Sequence, residues 1–535
     1  MPASNPLGES VAEPGGPAVG MAGWLAQTAL DALLGLAIGA VLARLIRRAH
    51  LHWSWALVAL AVVLLARSLL GGLAATLGLA ALSAAVWGRR WHHQDLSFGA
   101  DLGTIAAARV RPLDTLRSAI LALTSPRERD GTDDWFRGEE LIVGCDQRGR
   151  AVSIPCGGES GGTHTLVVGA TGSGKTITQT WIAVRAIGHG MGAIVLDPKG
   201  DRGMRDALCR AAQDASRAFI EWTPDGTSVY NPLARGSDTE IADKVLAGER
   251  FTEPHYLRLS QRYMGHVIRA LRSSGQEVSL QGIVSHLDPE RLELLTRSLP
   301  ESHVRGTDVY LDSLTPRQRS DLAGVRDRLA ILAESDVGRW LDPRTEGAEQ
   351  FDLLEAVLAR SVVYFRLDSD RRPLLAQMLG ASIVQDLQTT VAALQGRAVP
   401  TMAVIDEFSA LAAEQVVRLF GHARSSGLSL LLGTQELADL RLPGRESVLD
   451  QIAGNLSAVI AHRQVVPESA ELIASLAGTR GAWRASRRSD GASTRTRVRE
   501  GVLDPSEIMR LETGWAAVIV LTGGGAASLA RINAP

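Results

Sequence analysis

Residues 169–176 read GATGSGKT and residues 405–408 read IDEF, two strings that together have the groups to hold a magnesium triphosphate and hydrolyse it. The first has the spacing G-x-x-x-x-G-K-[ST]. In such a loop Gly169, Ala170, Thr171, Gly172, Ser173 and Gly174 turn backbone N–H groups toward a β-phosphate. Lys175 then reaches the β- and γ-phosphates, and the Thr176 hydroxyl is a magnesium ligand. The second string supplies what the loop lacks: Asp406 for the magnesium shell, partly through water, and Glu407 to orient and deprotonate an attacking water. ATP and Mg2+ are the implied cofactors. A chance glycine-rich turn and an acidic helix start would explain either string alone, and their pairing favours catalysis.

Two further residues extend the candidate site. Gln435 ends the apolar run 428–434, where an amide would sense a γ-phosphate, because ligands gather at the C-terminal ends of parallel strands. Arg424, just before that run, is a candidate to enter a neighbouring protomer's site and stabilise transition-state charge. Its plain alternative is a solvated surface arginine.

Of 56 basic residues only Lys175, Lys199 and Lys244 are lysines. Lys175 closes the phosphate loop and Lys199 lies in IVLDPKGD, one strand later. An ammonium is a compact point charge and a guanidinium a planar fork, so two of the three stand where phosphate chemistry discriminates between them. The sequence gives Lys199 no definite role.

These strings need elements to aim them. Residues 163–168 predict a short buried strand and 176–187 the helix that follows the loop, while 401–405 and 428–434 predict two further apolar strands. Residues 140–155 alternate and turn at 146–149, predicting a β-hairpin that leads into the phosphate-loop strand. The motor is expected over 139–235 and 350–535. Residues 236–349, between these two parts, have helical periodicity and few strand signals. Within them Arg258, Arg262, Arg269 and Arg272 recur at helical spacing, either as a basic face or as an ordinary solvated one.

The chain's 535 residues, 45% apolar, exceed what one ordinary core requires. A net charge of −2 advertises no global affinity for nucleic acid, so any such contact must be local. Residues 479–501 offer one place: seven arginines stand against Asp490 and Glu500, with Trp483 interleaved. There Arg484, Arg487, Arg488, Arg495 and Arg497 would meet phosphates while the indole stacks on a base, or the segment is a basic surface loop. Cys145, Cys156 and Cys209 show no metal or disulfide spacing, as in a reducing compartment.

Residues 1–20, rich in Pro, Gly, Ala and Ser, predict disorder. Residues 24–43 are long enough to span about 30 Å of hydrocarbon, with Asp31 their one formal charge. No Lys or Arg precedes Arg44, unlike a cleaved signal peptide. Residues 55–87 are apolar but broken by Arg67 and Gly71-Gly72, too long for one comfortable span. A transmembrane anchor of two or three helices is therefore expected over 21–91, followed by a juxtamembrane linker over 92–138. Arg44, Arg47 and Arg48 follow the first span and Arg89 and Arg90 the second, so both flanks should be cytoplasmic. Three crossings, or one crossing and a re-entrant hairpin, satisfy this. Asp31 and Arg67 are accommodated by snorkelling or a helix break, or else are buried charges between helices.

Taken in order, HTLVVGATGSGKT, AIVLDPKGD, YNPL at 230–233, VVYFRLDSDRRPLLAQMLG, VIDEFSAL and RSSGLSLLLGTQELADL resemble the RecA/HerA-type motor of the type IV secretion coupling proteins, the TraD/TraG family of conjugative DNA-transfer ATPases. The resemblance covers most of residues 140–480. It implies an α/β fold, a RecA-like P-loop motor domain with an inserted all-α domain at 236–349 and an N-terminal transmembrane helical anchor. It implies a homo-oligomer, a hexamer, in the inner (plasma) membrane with the motor cytoplasmic. ATP hydrolysis would pass DNA, single-stranded with a bound relaxase, to secretion-channel components. Arg424 lies close to where the family places an arginine that enters the neighbouring subunit. The connector between the apolar stretches departs from the family: it is arginine-rich and too short for a periplasmic domain.

An FtsK-type double-stranded-DNA translocase shares the phosphate loop, acidic pair and glutamine strand. The long helical insertion, and an ending near WAAVIVLTGGG without room for a DNA-reading winged helix, argue against it. A protein-effector secretion ATPase is another alternative. A membrane scaffold with a relic nucleotide site is disfavoured by intact Lys175, Thr176, Asp406, Glu407 and Gln435.

Overall fold

A computed structural model of the protein describes residues 17–48, 51–95, 135–158, 161–249, 251, 253–394, 396–411, 413–440, 447–487, 493–523 and 525–535. The chain falls into two compact units, one drawn from residues 1–125 and 480–500, the other from 126–479 and 501–535. Most of the stretch expected to be disordered and most of the linker, residues 1–16 and 96–134, lie outside the described residues.

The larger unit is organised by a mixed sheet. In chain order the strands are β1 (Phe136–Arg137), β2 (Glu140–Asp146), β3 (Ala151–Pro155), β4 (His164–Val168), β5 (Gly192–Asp197), β6 (Phe219–Trp222), β7 (Ser228–Tyr230) and β8 (Glu349–Phe351). They continue as β9 (Val362–Arg366), β10 (Thr401–Ile405), β11 (Leu428–Thr434), β12 (Ala458–Ala461), β15 (Trp515–Val520) and β16 (Ala526–Ile532), while β13 (Thr479–Arg487) and β14 (Ser493–Gly501) form a separate two-stranded sheet whose residues 480–500 belong to the smaller unit. The sheet order is β1-β2-β16-β15-β12-β4-β11-β10-β5-β9-β6, with β3 on β2. From β12 to β6 all neighbours run parallel. β15, β16 and the β2–β3 hairpin add an antiparallel wing.

The parallel strands are buried on both faces, which is why they read as unbroken apolar runs and not as alternating ones. Leu166 and Val168 point into one core and Val167 into the other. Register then gathers the functional ends. Val168 lies beside Thr434 and Ala461, and Ile405 beside Leu432 and Leu196. The loops after β4, β5, β10, β11 and β12 thus leave from one edge, the C-terminal edge where parallel sheets bind ligands.

β7 and β8 pair in parallel and bracket a helical excursion. Its helices are Asp238–Leu246, Pro254–Ser273, Leu280–His286, Pro289–Thr296, Glu301–Ser313 and Pro316–Ala333. Ser237 and Thr315 start two of them with capping boxes to Glu240 and Gln318. Pro254, Pro289 and Pro316 occupy first turns, where a missing N–H costs nothing. Helix Pro254–Ser273 buries Tyr263, Met264, Val267, Ile268 and Leu271 at helical spacing. On its outer side Arg272 pairs with Asp238 at 2.7 Å, Arg269 lies 3.9 Å from the same carboxylate, and Arg262 stacks on Tyr310. Three of the four helix-face arginines are therefore engaged within the protein, as expected of a solvated amphipathic face and not of a stripe held free for phosphates.

Lys244 closes the junction between excursion and sheet. It is fully buried, 2.6 Å from Asp386 Oδ1, and donates to the carbonyls of Pro232 and Arg235 at 3.0 and 2.6 Å. Tyr230 donates its hydroxyl to Asp386 Oδ2 at 2.7 Å. One buried ion pair, fully hydrogen-bonded, joins the YNPL segment, the first inserted helix and helix Pro373–Ala393.

The smaller unit contains α1 (Pro17–Arg48), α2 (Trp55–Leu65), α3 (Arg67–Leu70) and α4 (Leu73–Asp95). α1 begins inside the stretch expected to be disordered, since proline is well suited to a first helical position and the following residues extend the apolar helix. The second apolar run breaks at Ala66 and at Gly71, whose φ of +52° suits glycine. Gly35 lies against Thr76 and Leu79, and Gly39 against Ala80 and Ser83, close approaches that a Cβ would block. Because both numberings increase together, α1 and α4 run parallel and α2–α3 is the return between them. Arg44, Arg89 and Arg90 thus come to one end, which either the three-crossing or the re-entrant arrangement provides. Among the described residues one helix, Trp24–Ile46, is long and apolar enough to cross a membrane, and α2 is shorter. Leu30 and Leu33 are 67% and 66% exposed while Ala43, Ala84 and Ala85 are buried. Small residues inside and leucines outside is the pattern of helices packed for an apolar solvent.

Candidate nucleotide site

Glycine conformation shapes the loop 169–174. Gly172 and Gly174 adopt φ of +76° and +111°, left-handed conformations that a side chain would strain. Behind the loop lies His462, which sequence reasoning missed. Its Nδ1 faces the Trp515 carbonyl at 3.1 Å and so carries the proton, leaving Nε2 to accept from the Thr178 hydroxyl at 2.8 Å. Burial holds its pKa down at about 4, so the ring is neutral. A Cβ on Gly169 would strike the His462 Cβ and the Ser173 hydroxyl. Ala170 N donates to the Arg463 carbonyl and Gly514 N to the Ser173 carbonyl, fixing the loop from both flanks.

Lys175 sits between the two carboxylates, its Nζ 2.7 Å from Glu407 Oε1 and 3.0 Å from Asp406 Oδ1. Glu407 Oε1 also accepts from Gln435 Nε2 at 3.0 Å and from Lys199 Nζ at 3.2 Å. Thr171 donates its hydroxyl to Gln435 at 3.5 Å. Three residues far apart in sequence, Lys175, Lys199 and Gln435, therefore meet at one carboxylate, whose own backbone is held at φ +48°. Such a conformation in a non-glycine residue concentrates at functional positions.

The environment separates the two acids. Burial lifts the pKa of Asp406; Lys175 opposes this and the neighbouring Glu407 charge adds to it, leaving a net rise. Burial works upward on Glu407 too, but Lys175, the hydrogen bonds from Lys175 and Gln435, and the Lys199 charge outweigh it and hold it below the usual value. Adjacent carboxylates pushed apart are suited to different tasks.

Two more residues were missed. A Cβ on Gly433 would collide with Asp406 Oδ1 and Gln179 Nε2, so only glycine lets β11 pass this close. An isolated glycine inside an apolar strand was its available signal. Gln179 is fully buried on the phosphate-loop helix, Lys175–Gly188, and nothing in its polarity marked it. Asp197 is the third structural acid: it accepts from the N–H groups of Lys199, Gly200 and Asp201 at 2.9, 2.8 and 2.6 Å and from the Tyr364 hydroxyl at 2.6 Å.

The donor set fits a magnesium nucleotide. Asp406 Oδ1 and Ser173 Oγ are buried without a hydrogen-bond partner, although Asp406 touches the Lys175 ammonium. Among the described residues no group of three or more His, Cys, Asp or Glu side chains gathers as a metal cage. Magnesium asks for none, since it is held by one or two protein oxygens, water and phosphate. Thr176 and Asp406 would be those oxygens.

Arg424 is exposed in the turn Arg424–Ser426, at the start of β11, whereas Gln435 follows its end. It lies at the opposite end of β11 from its own phosphate loop and near His164, which burial and then the Arg424 charge hold at a pKa of about 4. Of the five arginines named for DNA, Arg488 lies outside the described residues. Arg484 and Arg487 fall on β13, and Arg495 and Arg497 on β14, the second strand of the pair.

Residues 400–513 match the family model described as the TraM recognition site of TraD and TraG. Among solved structures, the bacterial conjugative coupling protein TrwBdeltaN70 aligns with a TM-score of 0.55 at 16% identity over 78% of this chain and 91% of its own. The plasmid coupling protein TrwB in complex with ADP and Mg2+ aligns at 0.51 and 16% identity, over 70% of this chain and 86% of its own. VirB4 of Thermoanaerobacter pseudethanolicus aligns at 0.51 and 14% identity, over 75% and 98%. No curated protein matches the chain by sequence. The larger unit thus has the RecA-like motor fold of these proteins. Family match and motor fold agree, and the likeness to the TraD/TraG coupling proteins of type IV secretion, read from the order of the motifs, is borne out.

Proposed function

We propose that the chain is a membrane-anchored, ATP-driven DNA translocase that couples DNA, or a DNA–protein substrate, to a type IV secretion channel. The observation that carries the proposal is the convergence of Lys175, Gln435 and Lys199 on Glu407 beside Asp406, at the phosphate loop of a TrwB-like motor. Bound ATP and Mg2+ supply the reactive phosphoanhydride and the cation that neutralises its charge. The loop amides of 169–174 and Lys175 bind the phosphates, and Thr176 and Asp406 hold the metal. Glu407, kept ionised, takes the proton of an attacking water, and Gln435 orients that water or reports the γ-phosphate. α1 and the helices beside it serve as the inner-membrane anchor, with the motor in the cytoplasm. The cargo is single-stranded DNA carrying a relaxase, delivered to channel components, and the working form is a homo-hexamer.

Detergent-solubilised protein should hydrolyse ATP faster with single-stranded DNA than without it. Neutralising Arg484, Arg487, Arg488, Arg495 and Arg497 together should weaken DNA binding and flatten its salt dependence, because each lost phosphate contact removes a released counterion. Hydrolysis indifferent to any DNA, with affinity and salt slope unchanged in the variant, would point instead to an effector-secretion ATPase.

Arg424 tests assembly. It lies at the far end of β11 from its own loop, so any catalytic role is in the neighbouring protomer's site. Rings mixed from Arg424→Ala and Lys175→Ala protomers should then recover activity that neither variant shows alone. Inactivity at every ratio, in rings verified as mixed, would make Arg424 a surface charge.

A further inference from the structure

We propose that Lys199 is a positioning residue that holds the Glu407 carboxylate in place once Lys175 has turned to the phosphates. The proposal rests on reading Lys175, Asp406 and Glu407 as an ATPase site. Glu407 Oε1 takes three donors, from Lys175, Gln435 and Lys199, and a carboxylate oxygen has only about two lone-pair sites. One donor is surplus. The donor that nucleotide would draw away is Lys175, whose place at the end of the phosphate loop commits it to the β- and γ-phosphates. Glu407 then keeps Gln435 and Lys199, one on a strand end and one on the loop after β5, and its direction is set by two fixed points.

The Lys199 loop is built to be such a point. Asp197 gathers three consecutive N–H groups of that loop and the Tyr364 hydroxyl. Leu367 N donates to the Asp197 carbonyl at 3.0 Å and Ser369 N to the Pro198 carbonyl at 2.7 Å, tying the loop to the end of β9. Gly200 has φ +79°, and a Cβ there would meet the Arg366 side chain. From this rigid turn Lys199 extends, its side chain 47% exposed, to reach Glu407 with the ammonium alone. Half in solvent and outside both cores, it adds little to the packing of the motor. A compact ammonium at this position, in a chain that uses arginine almost everywhere, fits a contact to a single oxygen already shared with other donors.

The full-length protein in detergent provides the test, with Lys199→Met and Lys199→Arg compared for kcat and for affinity toward a fluorescent ATP analogue. Lys199→Met should lower kcat about 10-fold or more, a fraction of what a general base contributes, while nucleotide affinity changes less than about 2-fold. Lys199→Arg should restore part of the loss. In a Glu407→Gln background Lys199→Met should cost nothing further in single-turnover rate, because a residue acting through Glu407 has nothing left to position. Weakened nucleotide binding with kcat intact would assign Lys199 to the phosphates and overturn the proposal. So would an additive loss in the Glu407→Gln background. A hydrolysing wild type matched by Lys199→Met in every respect removes this proposal alone, whereas a wild type without ATPase activity removes the functional reading beneath it.

Discussion

Replacing Lys175 by alanine is expected to lower ATP turnover by at least about 10²–10³-fold, the cost of losing one preorganised donor to developing charge. The geometry gives a second reason. Lys175 is the cation between Asp406 and Glu407, 3.0 and 2.7 Å away, so its removal leaves two neighbouring carboxylates facing each other. Lys175→Arg should fail nearly as badly, since a planar fork cannot occupy the one point from which a single nitrogen reaches both acids. Glu407→Gln should separate the steps: the amide keeps much of the shape and still binds nucleotide, but cannot take a proton from water. Steady-state phosphate release and nucleotide binding, measured side by side, check all three. Turnover near that of the wild type in Lys175→Ala or Glu407→Gln would remove the site assignment.

Breaking the buried pair at the base of the helical excursion should cost about 3–5 kcal/mol of stability, because the remaining partner is left charged and dry. Asp386→Ala strands the Lys244 ammonium among the carbonyls of Pro232 and Arg235. Lys244→Met strands Asp386, whose pKa burial already raises against the opposing pull of Lys244. The double variant Lys244→Met with Asp386→Leu should recover part of the loss, since apolar replacement of a buried pair is often close to neutral. Denaturant or thermal unfolding of the four proteins measures this directly. An unfolding midpoint equal to that of the wild type in both single variants would show that the pair does not hold the junction.

The candidate site was legible where chemistry constrains residue type over short spacing. Gly169 through Thr176, Asp406, Glu407 and Gln435 each sit at the end of an apolar run, and parallel register brought those ends together as expected. His462, Gln179 and Gly433 escaped because their importance lies in what they touch across the sheet, not in their neighbours along the chain. Lys199 was visible as an oddity of composition but not as a partner of Glu407, since 208 residues separate them. The breaks at Arg67 and Gly71-Gly72 were legible, while the parallel pairing of α1 and α4 was not, because nothing in an apolar run says which helix its small residues will meet. The arginines of helix Pro254–Ser273 show the opposite limit: spacing allowed a basic face and an ordinary solvated one equally, and only cross-helix partners such as Asp238 and Tyr310, which take three of them, distinguish the two.

β11 has a mechanical consequence. It is hydrogen-bonded on both edges, to β4 and β10, and buried along its whole length, so it has little freedom to bend. Its seven residues make a strut of about 20 Å. Gln435, which touches the Glu407 carboxylate, is at one tip and Arg424 is at the other. The length of that strut keeps Gln435 and Arg424 about 20 Å apart within one protomer, so a single phosphate group cannot be served by both from the same chain.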